Sequence, residues 1–198
     1  MSTVVAAPAA DRGPIDIGFV FKQGWRLFVK DIGPLIVGAL IACGLSIVTL
    51  GILAGPLTAG LFGMVVKRVR DGQAPKVGDV FGQMHRFWTF FGAAVVLAIV
   101  VGVAWVTIIG GILLTTIWLY TFPIMVDRGL RFWTSLGESK DLVVRAGFWE
   151  HLALAILFAV IASLANGVLA VLATPFLVAA VAAGYFAASG RAAELEKV

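Results

Sequence analysis

The chain has 198 residues, 61% of them apolar and only 13% charged, against roughly half apolar and a quarter charged in soluble domains. A mean hydropathy of +1.02 agrees in excluding an ordinary soluble domain, and the single cysteine, Cys43, excludes a disulfide framework or a cysteine metal site within one chain. The net charge of +4 comes from cations placed beside apolar stretches, with no aromatic-rich soluble module around them, so it points to a membrane surface and not to nucleic acid.

Residues 1–14 carry only Asp11 and Arg12 among Ala, Pro, Ser and Thr and are expected to form a flexible tail. No basic segment leads into an apolar core there, so a cleaved signal peptide is not expected and the first span serves as the insertion signal. The next segment, 17–30, reads as an amphipathic helix. Lys22, Arg26 and Lys30 recur every fourth residue, with Phe21, Trp25 and Phe28 on an adjoining face, the pattern of a helix lying in the headgroup plane.

Three long stretches, 32–66, 87–126 and 151–190, hold no Asp, Glu, Lys or Arg. A charge at the centre of a spanning helix costs roughly 2.5 to 3.5 kcal/mol on insertion scales, so the charges mark what stays in water. Each stretch is about twice the roughly 20 residues needed to cross a bilayer once, and each breaks near its middle, at Gly51 to Pro56, at Gly110-Gly111 and at Asn166-Gly167. The expected fold is all-α: six transmembrane helices in three hairpins spanning residues 15–190, followed by a short tail over 191–198.

The segments between hairpins hold Lys67, Arg68, Arg70, Lys76 and Arg86, then Arg128, Arg131, Lys140 and Arg145, while the outer turns hold no charge. The positive-inside rule then places both termini in the cytoplasm of a multi-pass protein in a bacterial inner membrane. Two further amphipathic helices are expected before spans three and five: one over 77–88, the other opened by a capping box at Ser135-Leu136-Gly137-Glu138. Trp25, Trp88, Trp133 and Trp149 would form an aromatic belt. Laying the third hairpin on the second at an offset of 61 residues superposes Phe87-Trp88 on Phe148-Trp149 and Asp127-Arg128-Gly129 on Ala188-Ser189-Gly190, which suggests repeated units of interfacial helix plus hairpin.

Little in the chain suggests chemistry. Glu150 and His151 are neighbours whose side chains point about 100° apart on a helix, and both are expected to be solvated at the interface. Pro56, Pro123 and Pro175 are expected to kink their spans. Small residues four apart, as at Gly51 and Gly55, Ala59 and Gly63, and Ala180 and Gly184, favour close helix contact, including with a second copy. No phosphate loop, ligand-spaced Cys or His cluster, or nucleophile elbow is present, so neither an enzyme nor a cofactor is expected.

Short motifs carry a resemblance: Gly24-Trp25-Arg26-Leu27-Phe28, Gly55-Pro56-Leu57-Thr58-Ala59-Gly60-Leu61, Gly78-Asp79-Val80-Phe81, Pro123-Ile124-Met125-Val126-Asp127-Arg128-Gly129, and Ser135-Leu136 with Ser139. The order of these features resembles a loose group of uncharacterised bacterial integral membrane proteins related to the membrane domain of some glycerophosphodiester phosphodiesterases. The resemblance runs from about residue 17 to 190 and implies six helices and a membrane location. It transfers no catalytic residue, because this chain holds no soluble phosphodiesterase domain. The function expected from the residues is non-enzymatic: contact with anionic membrane lipid or a partner subunit through Lys22, Trp25, Arg26, Lys30, Lys67, Arg68 and Arg70. Two rivals stand beside it, a transporter or channel for a small neutral or lipid-like solute and an assembly factor of a membrane complex.

Overall fold

The computed structural model describes residues 14–165 and 168–198; residues 1–13 of the expected tail and the expected Asn166-Gly167 turn lie outside the described residues. The fold is helical, with no strand among the described residues: α1 (Ile17–Lys30), α2 (Ile32–Val48), α3 (Ala54–Asp71), two 3-10 turns (Val77–Phe81 and Met84–Arg86), α4 (Phe87–Ala104), α5 (Ile108–Ile117), α6 (Thr121–Asp127), α7 (Phe132–Arg145), α8 (Phe148–Leu164), α9 (Val168–Ala188) and α10 (Ala192–Glu196).

Three stretches, Val77–Ala104, Ile108–Asp127 and Leu169–Ala188, are long and apolar enough to cross a membrane, and up to five qualify if α1 with α2 and α7 with α8 each count as one bent span. α3 fails that test because Lys67, Arg68, Arg70 and Asp71 occupy its last turns. The bends separate amphipathic from apolar helices. α1 meets α2 at 90° and α7 meets α8 at 112°, and Gly147 in the second elbow sits at φ +101°, a region that an L side chain resists.

α1 starts where the Asp16 carboxylate accepts the backbone N–H groups of Gly18 and Phe19 at 2.8 and 3.2 Å, an N-cap. Its buried face, Val20, Gln23, Gly24, Leu27 and Phe28, lies across α9. Gly24 permits this, since a Cβ there would stand 2.6 Å from the Ala180 Cα. The centre of the molecule is α3 together with the second half of α9: Val178 to Ala183, Tyr185 and Phe186 are all buried. α4 instead leaves Val95, Ile99 and Val103 exposed, an apolar periphery too extensive for a soluble monomer. Helices of this length and apolarity suggest a membrane protein.

The 61-residue repeat holds at the level of elements. α4 opens at Phe87 and α8 at Phe148; α6 closes at Asp127 and α9 at Ala188. All three hairpins end on a left-handed glycine, Gly72, Gly129 and Gly190, with φ of 68°, 66° and 74°, a helix stop that a side chain would strain.

Four sequence expectations are corrected. The second outer turn lies at Trp105–Thr107, and Gly110 and Gly111 belong to α5. Gly111 is small to admit the Trp105 ring, whose Cδ2 would stand 2.5 Å from an added Cβ. The segment 77–86 forms 3-10 turns and not an amphipathic α-helix, because Val80 is drawn against Gly60 so closely that its carbonyl oxygen would meet a Cβ there at 1.8 Å. α7 starts at Phe132, ahead of the proposed capping box: Ser135 donates back to the Arg131 carbonyl at 3.1 Å and Glu138 pairs with Arg128. Pro56 and Pro123 occupy the first turns of α3 and α6, where a missing N–H costs no helical bond; only Pro175 lies inside a helix.

Candidate functional site

Ion pairs and hydrogen bonds gather the charged segments at one end of the molecule. Asp31 at the α1–α2 elbow pairs with Arg68 of α3 at 3.0 Å, and both are largely buried. Lys30 donates to the carbonyl of Val198. Arg86 donates to the carbonyls of Met125, Gly129 and Leu130 at 3.0 to 3.4 Å, tying the 3-10 turns to the end of α6. The opposite end, at Thr49–Leu53 and Trp105–Thr107, carries no charged residue.

The most connected ionic cluster lies where α6, α7, α9 and α10 meet. Asp127, whose side chain is 3% exposed, accepts hydrogen bonds from the Tyr185 hydroxyl at 2.7 Å and from Arg191 at 2.5 Å. Arg128 donates to the same hydroxyl at 3.2 Å and to Glu138 at 2.6 Å. Arg191 also makes a two-point pair with Glu194 at 2.8 and 2.9 Å and stands 4.6 Å above the Phe186 ring. Each of these side chains is held by at least one partner, which marks a structural clasp.

The seven residues singled out from sequence divide into three groups. Lys22, Trp25 and Arg26 project from α1, exposed, and neither cation joins an ion pair among the described residues. Lys30 and Arg68 are engaged in the elbow. Burial pushes the Asp31 carboxyl above its ordinary range, with the neighbouring Arg68 and Lys30 charges opposing that shift. Lys67 and Arg70 face a third place, a groove of about 330 Å³ bounded by Gly63, Val66, Lys67, Arg70 and Asp71 of α3, by Asp79, Gly82 and Gln83 of the 3-10 turns, and by Val126 of α6. There Lys67 pairs with Asp79 and Arg70 with Asp71, each at 3.0 Å.

Trp25, Trp88, Trp133 and Trp149 are exposed by 58%, 78%, 72% and 73%. Large aromatic rings left this open on four separate elements suit an interface between apolar and polar surroundings.

Sequence reasoning missed the interior polar cluster. His151, expected to be solvated, is fully buried. Its Nδ1 lies 2.6 Å from the Gly147 carbonyl; a carbonyl only accepts, so Nδ1 carries the proton. The Tyr120 ring packs edge-on against it at 5.4 Å, with the Tyr120 backbone N–H held by the Ser139 hydroxyl at 3.1 Å. The Tyr120 hydroxyl and His151 Nε2 are both buried without a partner among the described residues, as is Gln23 Oε1. The hydroxyl rests beside Gly184, where a Cβ would come within 2.7 Å. Small residues on α9 therefore serve contacts within the chain: Ala180 receives α1 and Gly184 receives Tyr120. No group of three or more His, Cys, Asp or Glu side chains among the described residues could hold a metal ion.

Comparison with known proteins finds no match to this chain among family models, curated proteins or solved structures.

Proposed function

We propose that this is a non-enzymatic inner-membrane protein whose three hairpins form six spans, with the charged end and both termini in the cytoplasm, and that α1 engages anionic lipid. The carrying observation is the outer face of α1: Lys22 and Arg26 stand exposed without an acidic partner among the described residues, with Trp25 between them. α1 meets α2 at 90°, the angle by which a helix lying in the headgroup plane joins one that crosses. The hairpins α2–α3, α4 to α6 and α8–α9 supply the spans, α3 ending at the water boundary with its four charges. This arrangement agrees with the membrane-domain resemblance of the motifs, from which no activity is taken.

Each cation near an anionic leaflet contributes about 1 kcal/mol, so Lys22 and Arg26 together favour an anionic over a zwitterionic neighbour by ~2 kcal/mol, roughly thirty-fold. The test is fluorescence quenching by brominated phosphatidylglycerol against brominated phosphatidylcholine in reconstituted bilayers. Wild type is expected to be quenched preferentially by the anionic lipid, and a Lys22→Ala, Arg26→Ala variant to lose most of that preference. Equal preference in both proteins would refute the reading.

A further inference from the structure

The groove beside Lys67 combines features that the lipid contact of α1 does not use. Lys67, Arg70 and Asp71 stand on one face of α3 by their i, i+3, i+4 spacing, and the facing wall supplies Asp79 and the Gln83 amide. It thus presents two cations and two carboxylates, with Gly63, Val66 and Val126 as an uncharged floor. Its volume of about 330 Å³ far exceeds the ~10 to 15 Å³ that a single water needs by the same measure. The Lys67–Asp79 and Arg70–Asp71 pairs are partly exposed. Such pairs contribute little to stability, so they can open to a ligand that replaces both partners.

A purely anionic ligand would meet Lys67 and Arg70 but also the like charges of Asp71 and Asp79. A purely cationic one meets the reverse conflict. A ligand with a phosphate and an ammonium satisfies both sets, the phosphate on Lys67 and Arg70 and the ammonium on Asp71 and Asp79. A primary ammonium has three N–H donors for two carboxylates, whereas a quaternary one has none. Phe81, 40% exposed, directly precedes the lining residue Gly82 in the chain, which offers apolar surface for an acyl chain. We propose that this groove is a binding site for the phosphoethanolamine group, carried into it by phosphatidylethanolamine. The site lies apart from the outer face of α1 and rests on the reading above only for its placement at the membrane surface.

Gly63 provides a test that leaves every charge in place. A Cβ there stands 3.6 Å from Gln83 Nε2 and 3.7 Å from Val126 Cγ1, ordinary contact distances, so Gly63→Leu extends into the groove. Protein purified in mild detergent is titrated with phosphatidylethanolamine, phosphatidylcholine, phosphatidylglycerol and soluble glycerophosphoethanolamine, and bound molecules are counted by native mass spectrometry. Wild type is expected to prefer phosphatidylethanolamine over phosphatidylcholine by about ten-fold, the size of one charge-assisted contact, and Gly63→Leu to abolish the preference. Should Gly63→Leu fail to fold, Asp71→Asn at the exposed rim decides, with an expected fall in the same preference. Tighter binding of the lipid than of glycerophosphoethanolamine identifies the membrane as the source; equal binding identifies the soluble form, and either supports the site's chemistry. Phosphatidylethanolamine bound no better than phosphatidylcholine or phosphatidylglycerol, or a preference unchanged in folded Gly63→Leu, would overturn the proposal. The Lys22→Ala, Arg26→Ala variant should retain the ethanolamine preference, so failure of the α1 reading and failure of this one are separable.

Discussion

Gly60→Ala tests the packing that positions the groove wall. An added Cβ at Gly60 would lie 1.8 Å from the Val80 carbonyl oxygen, 2.6 Å from its carbonyl carbon and 3.1 Å from its Cα. All three are backbone atoms, so no rotamer change relieves the overlap, and the 3-10 turn must move off α3. Overpacking of a tight core typically costs about 1 to 3 kcal/mol, and a clash with backbone belongs at or above the upper end. Alanine recovers about 1 kcal/mol of helix propensity over glycine. The net expectation is a loss of ~2 kcal/mol, or a fall of ~4 to 8 °C in the unfolding midpoint for a chain of this length. Gly63→Ala, one turn further along α3, is the matched control: its Cβ meets nothing closer than 3.6 Å, so the propensity gain of up to ~1 kcal/mol stands alone. Thermal or denaturant unfolding of wild type and both variants in the same detergent gives the comparison. Two alanine variants of equal stability, or Gly60→Ala at least as stable as wild type, would refute the close approach of Val80 to α3.

Further outcomes follow from the buried polar groups. Asp127→Asn removes the charge that Tyr185 and Arg191 share and should cost ~3 kcal/mol, Tyr185→Phe about 1 kcal/mol; a double-mutant cycle should give a clear coupling between them, and strict additivity would contradict the clasp. Tyr120→Phe deletes a buried hydroxyl that has no partner among the described residues, so unfolding measurements should find it neutral or up to ~1 kcal/mol more stable, and a loss of that size would show that the hydroxyl is bonded after all. The Asp31 carboxyl has a raised pKa because burial outweighs Arg68 and Lys30. Its contribution is therefore fully present below the ordinary 3.8 and is lost as pH rises through the folded value. Stability of wild type relative to Asp31→Asn should accordingly increase as pH falls from 7 toward 4, the opposite sign to that of an ion pair whose attraction dominates.

The apolar stretches and the gathering of charge at one end were legible in sequence because both follow from a local cost, that of a charge in hydrocarbon. Trp25, Trp88, Trp133 and Trp149 were legible as a belt because their amphipathic rings suit an interface between apolar and polar surroundings. What escaped depends on distant partners. Gly110-Gly111 suggested a turn, but Gly111 is small for the ring of Trp105. Ser135 suggested a cap, but its hydroxyl bonds within α7 and Glu138 turns to Arg128. His151 sits beside a glutamate in sequence, yet Tyr120, from another hairpin, covers it. Within the groove, Lys67 and Arg70 were identified as a basic run, while their acidic partner across the groove, Asp79, became apparent only once Val80 had been brought onto Gly60.

The ends of the hairpins away from the ion pairs also bear on how the chain enters a bilayer. A helical pair with a leading tip such as Leu50-Gly51 or Trp105-Val106 could be threaded as a unit without moving an ion through hydrocarbon, because its nearest charges, Asp31 with Lys67 and Arg68 for the first and Arg86 with Asp127 for the second, lie at the far ends of its helices. α3, with four charges in its last turns, enters most cheaply alongside α2. On the six-span reading proposed above, assembly would proceed as three successive insertions that leave the charged groups in water.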